Sequence, residues 1–270
     1  MSEPRTRRTS REEAADWYDL PLYYDIIFDG GTETEADFLV AMHERHGQSR
    51  GKNILEPACG TGRLLAEMAR RGFRGHGIDR NPAMLAFARE RMASERLPVR
   101  LSRGNLQDFR VRGSFDLAFC LVSTFKYLLS EAEALSHLRC VGRVVKPGGL
   151  YVLGLHLTDY SDRTSSRERW TGRRDGVRVV SNLQTWPADR RRRRERLRVR
   201  LRVEEVARPA RVFETRWEFR TYGPVQIRSL LRATQEWELV AVHDFTHDPQ
   251  HEIRLGGRWL DAVLILRRGS

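Results

Sequence analysis

A short apolar strand runs into a glycine loop and out into a helix between Lys52 and Arg71, and no other stretch of this sequence restricts the fold as tightly. Lys52 to Glu56 reads as a buried strand, followed by Pro57-Ala58-Cys59-Gly60-Thr61-Gly62. Arg63 to Arg71 reads as a helix with Leu64, Leu65, Met68 and Ala69 on one face, ended by Gly72. Glycines in such a loop let the backbone turn sharply and lie against a ligand with no side chain between them. The amide-rich start of the helix favours a carboxylate or phosphate at the same place. Asp79, nineteen residues beyond Gly60, closes a second short strand, Gly75 to Asp79. A carboxylate there can accept both hydroxyls of a ribose.

The pattern continues as strand and helix in alternation. Asn81-Pro82 starts a helix to about Ser94, Asn as cap and Pro in the first turn. Strands are predicted at Val99 to Arg103, Phe115 to Val122 and Leu150 to Leu157, with a helix from Glu131 to Val145 and a Lys146-Pro147-Gly148-Gly149 turn. The period then changes. Gly176 to Trp186, Arg196 to Val206 and Arg211 to Arg220 read as an antiparallel meander. In its middle strand Leu197, Val199, Leu201 and Val203 alternate with arginines. A helix from Pro224 to Thr234 and strands at Trp237 to Phe245 and Leu260 to Leu266 resume the first pattern. The expected fold is α/β: a Rossmann-like, doubly wound, mostly parallel seven-stranded sheet with an antiparallel β insertion after the fifth strand. Its expected parts are a disordered leader over 1–16, a main domain over 17–160 and 221–268, and the insertion over 161–220. Trp17 to His46 looks helical, with an amphipathic stretch from Glu33 to Arg45.

The loop alone leaves two cofactor classes open. A dinucleotide loop wants a third glycine, and Leu65 stands in its place. Glu56 before the loop and Asp79 after it, with Gly104-Asn105-Leu106 and Lys146-Pro147-Gly148-Gly149-Leu150, resemble the ordered motifs of class I S-adenosylmethionine-dependent methyltransferases. The resemblance runs from about Tyr23 to Leu157. It is nearest to small-molecule members of the glycine and amino-sugar N-methylating type.

That resemblance implies S-adenosylmethionine as cofactor and a role for each position. Glu56, Ala58, Gly60 and Gly62 would line its methionine part, with Gly60 and Gly62 nearest. Asp79 would hold the ribose, Arg80 and Met84 would flank the adenine, and Asn105 and Leu106 would meet its edge. The family commonly has Asp where Asn105 stands. Leu121 and Val122 would face the sulfonium, and Tyr24 would close over the cofactor, touching the reaction. His156, ending the fifth strand, is the candidate base; Tyr23, Lys126, Tyr127 and His156 are the candidate acceptor contacts. Each tyrosine, Lys126 and His156 also has a purely structural reading, packed or satisfied locally.

The function implied is in-line transfer of the methyl group to nitrogen or oxygen of a small molecule. Net charge weighs on this, because 48 Lys and Arg face 36 Asp and Glu, a net +12. Arginines crowd between Arg163 and Arg220, densest at Arg190 to Arg194. A second reading is therefore a nucleic-acid methyltransferase docking through the insertion. Against it, no aromatic residue interleaves the run, and the run also reads as a hairpin tip, Pro187 to Glu195, with Arg198 and Arg200 facing Glu214 and Glu218. A third reading is a non-catalytic scaffold. The insertion is an acceptor lid or a homodimer contact. Three cysteines without CxxC spacing exclude a disulfide framework and suit the cytoplasm. His243, His247 and His251 are read as loop histidines with no metal, since Pro249 breaks any helix through them. No apolar run is long enough for a membrane span.

Overall fold

Along the central strands apolar side chains alternate between two faces, and each face is covered by its own helices. The computed structural model describes residues 11–269. In chain order its elements are β1 (Arg11–Ala14), a single 3₁₀ turn (Trp17–Asp19), α1 (Pro21–Phe28), α2 (Thr32–His46), β2 (Asn53–Pro57), α3 (Arg63–Arg70), β3 (Arg74–Asp79), α4 (Pro82–Ser94), β4 (Val99–Arg103) and β5 (Phe115–Cys120). A second 3₁₀ turn (Thr124–Tyr127) leads to α5 (Glu131–Val144), β6 (Val145–His156), β7 (Ser166–Arg174), β8 (Val177–Thr185), β9 (Arg194–Glu205), β10 (Arg211–Arg220), α6 (Pro224–Thr234), β11 (Trp237–His243) and β12 (Asp261–Arg268).

Seven strands make the main sheet in the order β11-β12-β6-β5-β2-β3-β4. Strands β2 to β6 pair parallel, while β12 lies antiparallel between β6 and β11. Ile54, Leu117, Phe119 and Val152 pack with α2, α3 and α4 on one face. Leu55, Ala118, Tyr151 and Leu153 pack with α5 and α6 on the other. The chain builds outward from β2 through β3 to β4, then returns to add β5 on the other side of β2. That reversal opens a crevice at the carboxyl ends of β2 and β5, where sheets of this kind bind ligands.

The insertion is a second sheet, ordered β1-β10-β9-β8-β7. Its inner face carries Val179, Val199, Leu201, Val203 and Phe213, packed on Trp17, Tyr23 and Ile26. Its outer face carries the arginines. Arg200 meets Glu214 at 2.7 Å and Arg198 meets it at 3.8 Å, while Glu218 is approached by Arg194 at 3.9 Å.

Several expectations need correction. A leader disordered over 1–16 does not hold for residues 11–16; residues 1–10 lie outside the described part. Arg11–Ala14 pairs in parallel with β10 through its backbone, a bond that side-chain polarity does not reveal. The stretch from Trp17 to His46 is not one helix, because Gly30 and Gly31 break it, Gly31 with φ 92°. The Lys146-to-Gly149 turn lies inside β6, absorbed as an irregularity where the partner register jumps from Phe115/Val145 to Leu117/Leu150. Strand β7 carries four arginines in nine residues and shows no clean apolar alternation, so it escaped the pattern. The described helices include none long and apolar enough to cross a membrane.

Helix α1 lies between the two sheets. Asp25 on it is fully buried, with Arg91 of α4 at 2.6 Å and Arg174 of β7 at 2.7 Å on the same carboxylate oxygen. Burial pushes this carboxyl up, but the bonds from Arg91, Thr61 and Arg174 outweigh it and hold it below the usual aspartate range. A carboxyl lowered in the folded state adds stability above its unfolded pKa. The gain is therefore present at neutral pH and lost as pH falls through the lowered folded value. Asp25→Ala strands two partly buried guanidinium groups, and breaking a buried pair costs about 3–5 kcal/mol. Chemical denaturation at neutral pH should show a loss at the lower end of that range, since Arg174 keeps some solvent. The gap to wild type should narrow in acid.

Candidate active site between the two sheets

The loop after β2 is held open by one carboxylate. Asp79 accepts the Gly60 N–H at 2.8 Å through Oδ2 and the Asn81 N–H at 2.8 Å through Oδ1. Ala58, Gly60 and Gly62 all take positive φ, at 58°, 53° and 69°. The two glycines do different work. A Cβ on Gly60 would meet only the Tyr24 ring, at 4.0 Å, so its open side faces the crevice beneath that ring. A Cβ on Gly62 would strike Met92 at 2.8 Å and Ala88 at 3.2 Å. Gly62 therefore lets α4 approach, and it does not line the cleft described next.

A cleft of about 170 Å³ opens above this loop, lined by Tyr24, Ala58, Gly60, Asp79, Arg80, Asn105, Leu106 and, unforeseen, Asp16, Tyr18, Asn81 and Gln107. Met84 does not line it; it is buried under the first turn of α4, where its N–H bonds the Asn81 cap at 3.2 Å. Glu56 sits below the loop with Oε2 buried and unpartnered, and burial raises its carboxyl well above the usual range. Burial likewise raises Asp79. S-adenosylmethionine fits these residues. Its ammonium would supply the donor that Glu56 lacks, and Asp79 keeps unused lone pairs toward the cleft for ribose hydroxyls.

A second cavity, of about 650 Å³, adjoins the first and shares Tyr18, Tyr24, Thr124 and Tyr127 with it. Its roof is the inner face of the insertion, with Trp170, Leu183, Leu197, Trp217 and Phe219. Its floor is the turn after β5 and the end of β6. Lys126 is 2% exposed, and its Nζ meets Glu195 of β9 at 2.5 Å. Burial pulls this ammonium down from its ordinary range while Glu195 supports the charge. The Tyr127 and Tyr18 hydroxyls bond at 2.6 Å, and burial raises both phenols, so both stay protonated. His156 also lines the cavity, and its Nδ1 contacts Oδ1 of Asp261 on β12.

Two expected contacts move elsewhere. Tyr23 is 8% exposed on the insertion's inner face, stacked near Phe213 and bonded to Glu205 at 3.0 Å. It faces away from the cavity because Tyr24, one residue on, takes the cavity side of α1. Leu121 is 7% exposed and belongs to the main core, while Val122 reaches the cavity. The sequence missed Asp261 and Glu195. Each lies on a strand far along the chain, and only the sheet pairing of Asp261 with His156 brings the first into place. His243, His247 and His251 group around a loop, where the His243 Nδ1–H donates to the Asp248 and His251 carbonyls at 3.3 and 3.0 Å. Among the described residues no cluster is arranged to hold a metal. The arginine run is tied down in part: Arg193 donates to the Thr221 carbonyl at 3.3 Å and lies over the Tyr222 ring at 5.4 Å.

Residues 54–149 match a family described as a methyltransferase domain. The matched stretch runs from β2 into β6. A putative methyltransferase of Geobacillus sp. is 26% identical over 147 residues, 54% of this chain and 58% of that protein. A dTDP-3-amino-3,6-dideoxy-alpha-D-glucopyranose N,N-dimethyltransferase of Streptomyces fradiae is 29% identical over 133 residues, 48% of this chain and 50% of that protein. The chain thus spans about half the length of these curated relatives. An S-adenosylmethionine-dependent methyltransferase from Clostridium acetobutylicum superposes with a TM-score of 0.76 at 17% identity, covering 94% of this chain and 99% of that one. The fold shared with that protein therefore extends over the insertion as well as the matched residues.

Asp79→Ala should do two things, since its carboxylate both faces the cleft and braces the loop. Calorimetric titration with S-adenosylhomocysteine should show affinity falling by at least about tenfold, the loss of one charge-assisted hydrogen-bond pair. Gly62→Ala should instead lower the unfolding midpoint through the clash with Met92, with the smaller effect on affinity.

Proposed function

We propose that the protein transfers the methyl group of S-adenosylmethionine to the nitrogen of a small-molecule amine, with His156 receiving the proton that the amine gives up. The observation that carries this reading is the junction of the two cavities at Tyr24 and Tyr127. One cavity is framed by the glycine loop and Asp79, the other by His156 and Asp261. The relative from Streptomyces fradiae, an amino-sugar N,N-dimethyltransferase by name, supports nitrogen as the target.

When bound, S-adenosylmethionine supplies a methyl carbon activated by positive sulfur. The chain's part is to align, to exclude water and to hold a proton. Glu56, Asp79 and the Ala58-to-Gly60 backbone would hold the adenosyl and amino-acid ends, and Tyr24 covers Gly60. Alignment of the two reactants supplies the greater part of the acceleration. An amine that arrives as ammonium has no free pair to attack. The Asp261 contact engages His156 Nδ1 and orients the ring, leaving Nε2 to accept the proton. Glu195 and Lys126 make a neutral pair in the floor, so the pocket keeps a buried charge without repelling the acceptor.

Incubation with labelled S-adenosylmethionine and a panel of amines should give label in base-stable N-methyl product. His156→Ala should lower kcat by about 10²–10⁴-fold, the usual range for a general base, with affinity for S-adenosylhomocysteine unchanged. Absence of calorimetric binding of S-adenosylhomocysteine at millimolar concentration would rule the reading out.

A further inference from the structure

The larger cavity gathers much of the chain's aromatic surface. Ten of the described residues that line it are Phe, Trp or Tyr, and four of the chain's six tryptophans are among them. Six of these rings form a continuous band. Trp170 of β7 lies 6.0 Å from Phe28 between centroids, and Phe28 lies 4.5 Å from Tyr24. Tyr24 is 5.4 Å from Tyr18, Tyr18 is 6.0 Å from Tyr127, and Tyr127 stacks on Trp217 of β10 at 6.4 Å. All six line the larger cavity, and the three tyrosines also line the smaller cleft. The band thus begins and ends on the insertion and passes the junction of the two cavities midway.

The roof beside the band offers carbon. Leu183 and Leu197 stand on the two strands between Trp170 and Trp217, and Leu197 is directly across from Trp217. The indole nitrogens of Trp17 and Trp217 are buried, so those rings too present carbon to the cavity. Hydroxyl groups laid against such a surface lose water and gain no partner. An aromatic face loses no hydrogen bond there and gains ring contacts. Cations are scarce as well. Among the described lining residues Lys126 is the sole lysine or arginine, and Glu195 already holds it. A phosphate on the acceptor would find that cation taken. The volume, about 650 Å³, suits a drug-sized ligand rather than a single sugar ring.

We propose that the acceptor is an amine carried on a large aromatic body without phosphate, seated along the band with its nitrogen at the tyrosine junction. This rests on the amine-methylation reading above and narrows its substrate. It sets this chain apart from the Streptomyces fradiae relative, whose named substrate is a nucleotide-linked amino sugar.

Calorimetric titration of the whole protein, loaded with S-adenosylhomocysteine, tests the proposal without catalysis; the probes are aminomethylanthracene, glucosamine and UDP-glucosamine. Aminomethylanthracene should bind at least about tenfold more tightly than either sugar, with a more negative heat-capacity change. Trp170→Ala should weaken that binding about three- to tenfold, and Trp170→Phe should restore most of it. Both variants should bind S-adenosylhomocysteine as wild type does, which also reports that they fold. Affinity for either sugar equal to or above that for aminomethylanthracene, or anthracene binding untouched by Trp170→Ala, would overturn the proposal. Label passing from S-adenosylmethionine to glucosamine but not to aminomethylanthracene would overturn it too, while leaving the amine-methylation reading in place. Tight aromatic binding with no label transferred to any amine would uphold the aromatic site and remove the methyl-transfer reading, so the two fail separately.

Discussion

Helix α1 is held between the main domain and the insertion, and the buried carboxylate of Asp25 is what fixes it there. One oxygen of that carboxylate is shared by Arg91 from the main domain and Arg174 from the insertion. Arg91 also donates to the Thr61 carbonyl at 3.1 Å, so the same group that grips α1 touches the glycine loop. On the other side β7 approaches by its backbone. A Cβ on Gly172 would lie 2.1 Å from the Ile26 carbonyl oxygen, too close for any other residue. These contacts set the height of Tyr24 above Gly60 and the distance between the aromatic roof and the floor. The two cavities meet at Tyr24, on the helix this ionic junction holds.

Charge is sorted across the insertion by the period of its strands. Side chains on a strand alternate in direction, so each arginine at an even position of β9 points outward and each apolar neighbour points in. Cross-strand glutamates answer part of the outward charge, Glu214 for Arg200 and Glu204 for Arg178 at 2.7 Å each. The inner surface is thereby left apolar and acidic in a basic protein. That suits transfer to nitrogen. In the transfer proposed above, positive charge would develop on the acceptor nitrogen, and Asp261 lines the same cavity while Glu195 is neutralised by Lys126. Fixed negative groups placed where charge develops lower the barrier more than equal attraction at both ends would.

How much of this was legible follows from which forces act locally. The strand, loop and helix around Gly60 were readable because turn chemistry, capping and helical period all act within a few residues. The same holds for Asn81 as a cap, whose side chain takes the Ala83 and Met84 N–H groups. Strand β1 was not readable, since its support is backbone pairing with β10, about two hundred residues away. Asp261 was not readable as a partner of His156, because the antiparallel register of β12 on β6 is a property of the assembled sheet. The larger cavity draws its walls from α1, the turn after β5, the insertion and the segment before β12, so no window of sequence contains it.

The end of β5 shows how one residue can redirect a site. The apolar run Phe115 to Val122 reads as a continuous strand, and a continuous strand would set Leu121 and Val122 by simple alternation. The strand ends at Cys120, and Val122 and Ser123 both take positive φ, at 58° and 63°. For a β-branched residue that conformation costs on the order of 1–3 kcal/mol, so the surroundings must hold it. They do so through Ser123, whose N–H reaches the Gly154 carbonyl at 3.2 Å and whose hydroxyl accepts the His156 N–H at 3.0 Å. Leu121 is turned into the core against Gly154, and Val122 is pushed, 41% exposed, into the cavity. The strained turn therefore ties the candidate base to the floor of the pocket. Relaxing it would move His156 together with the Val122 surface that lines the same cavity.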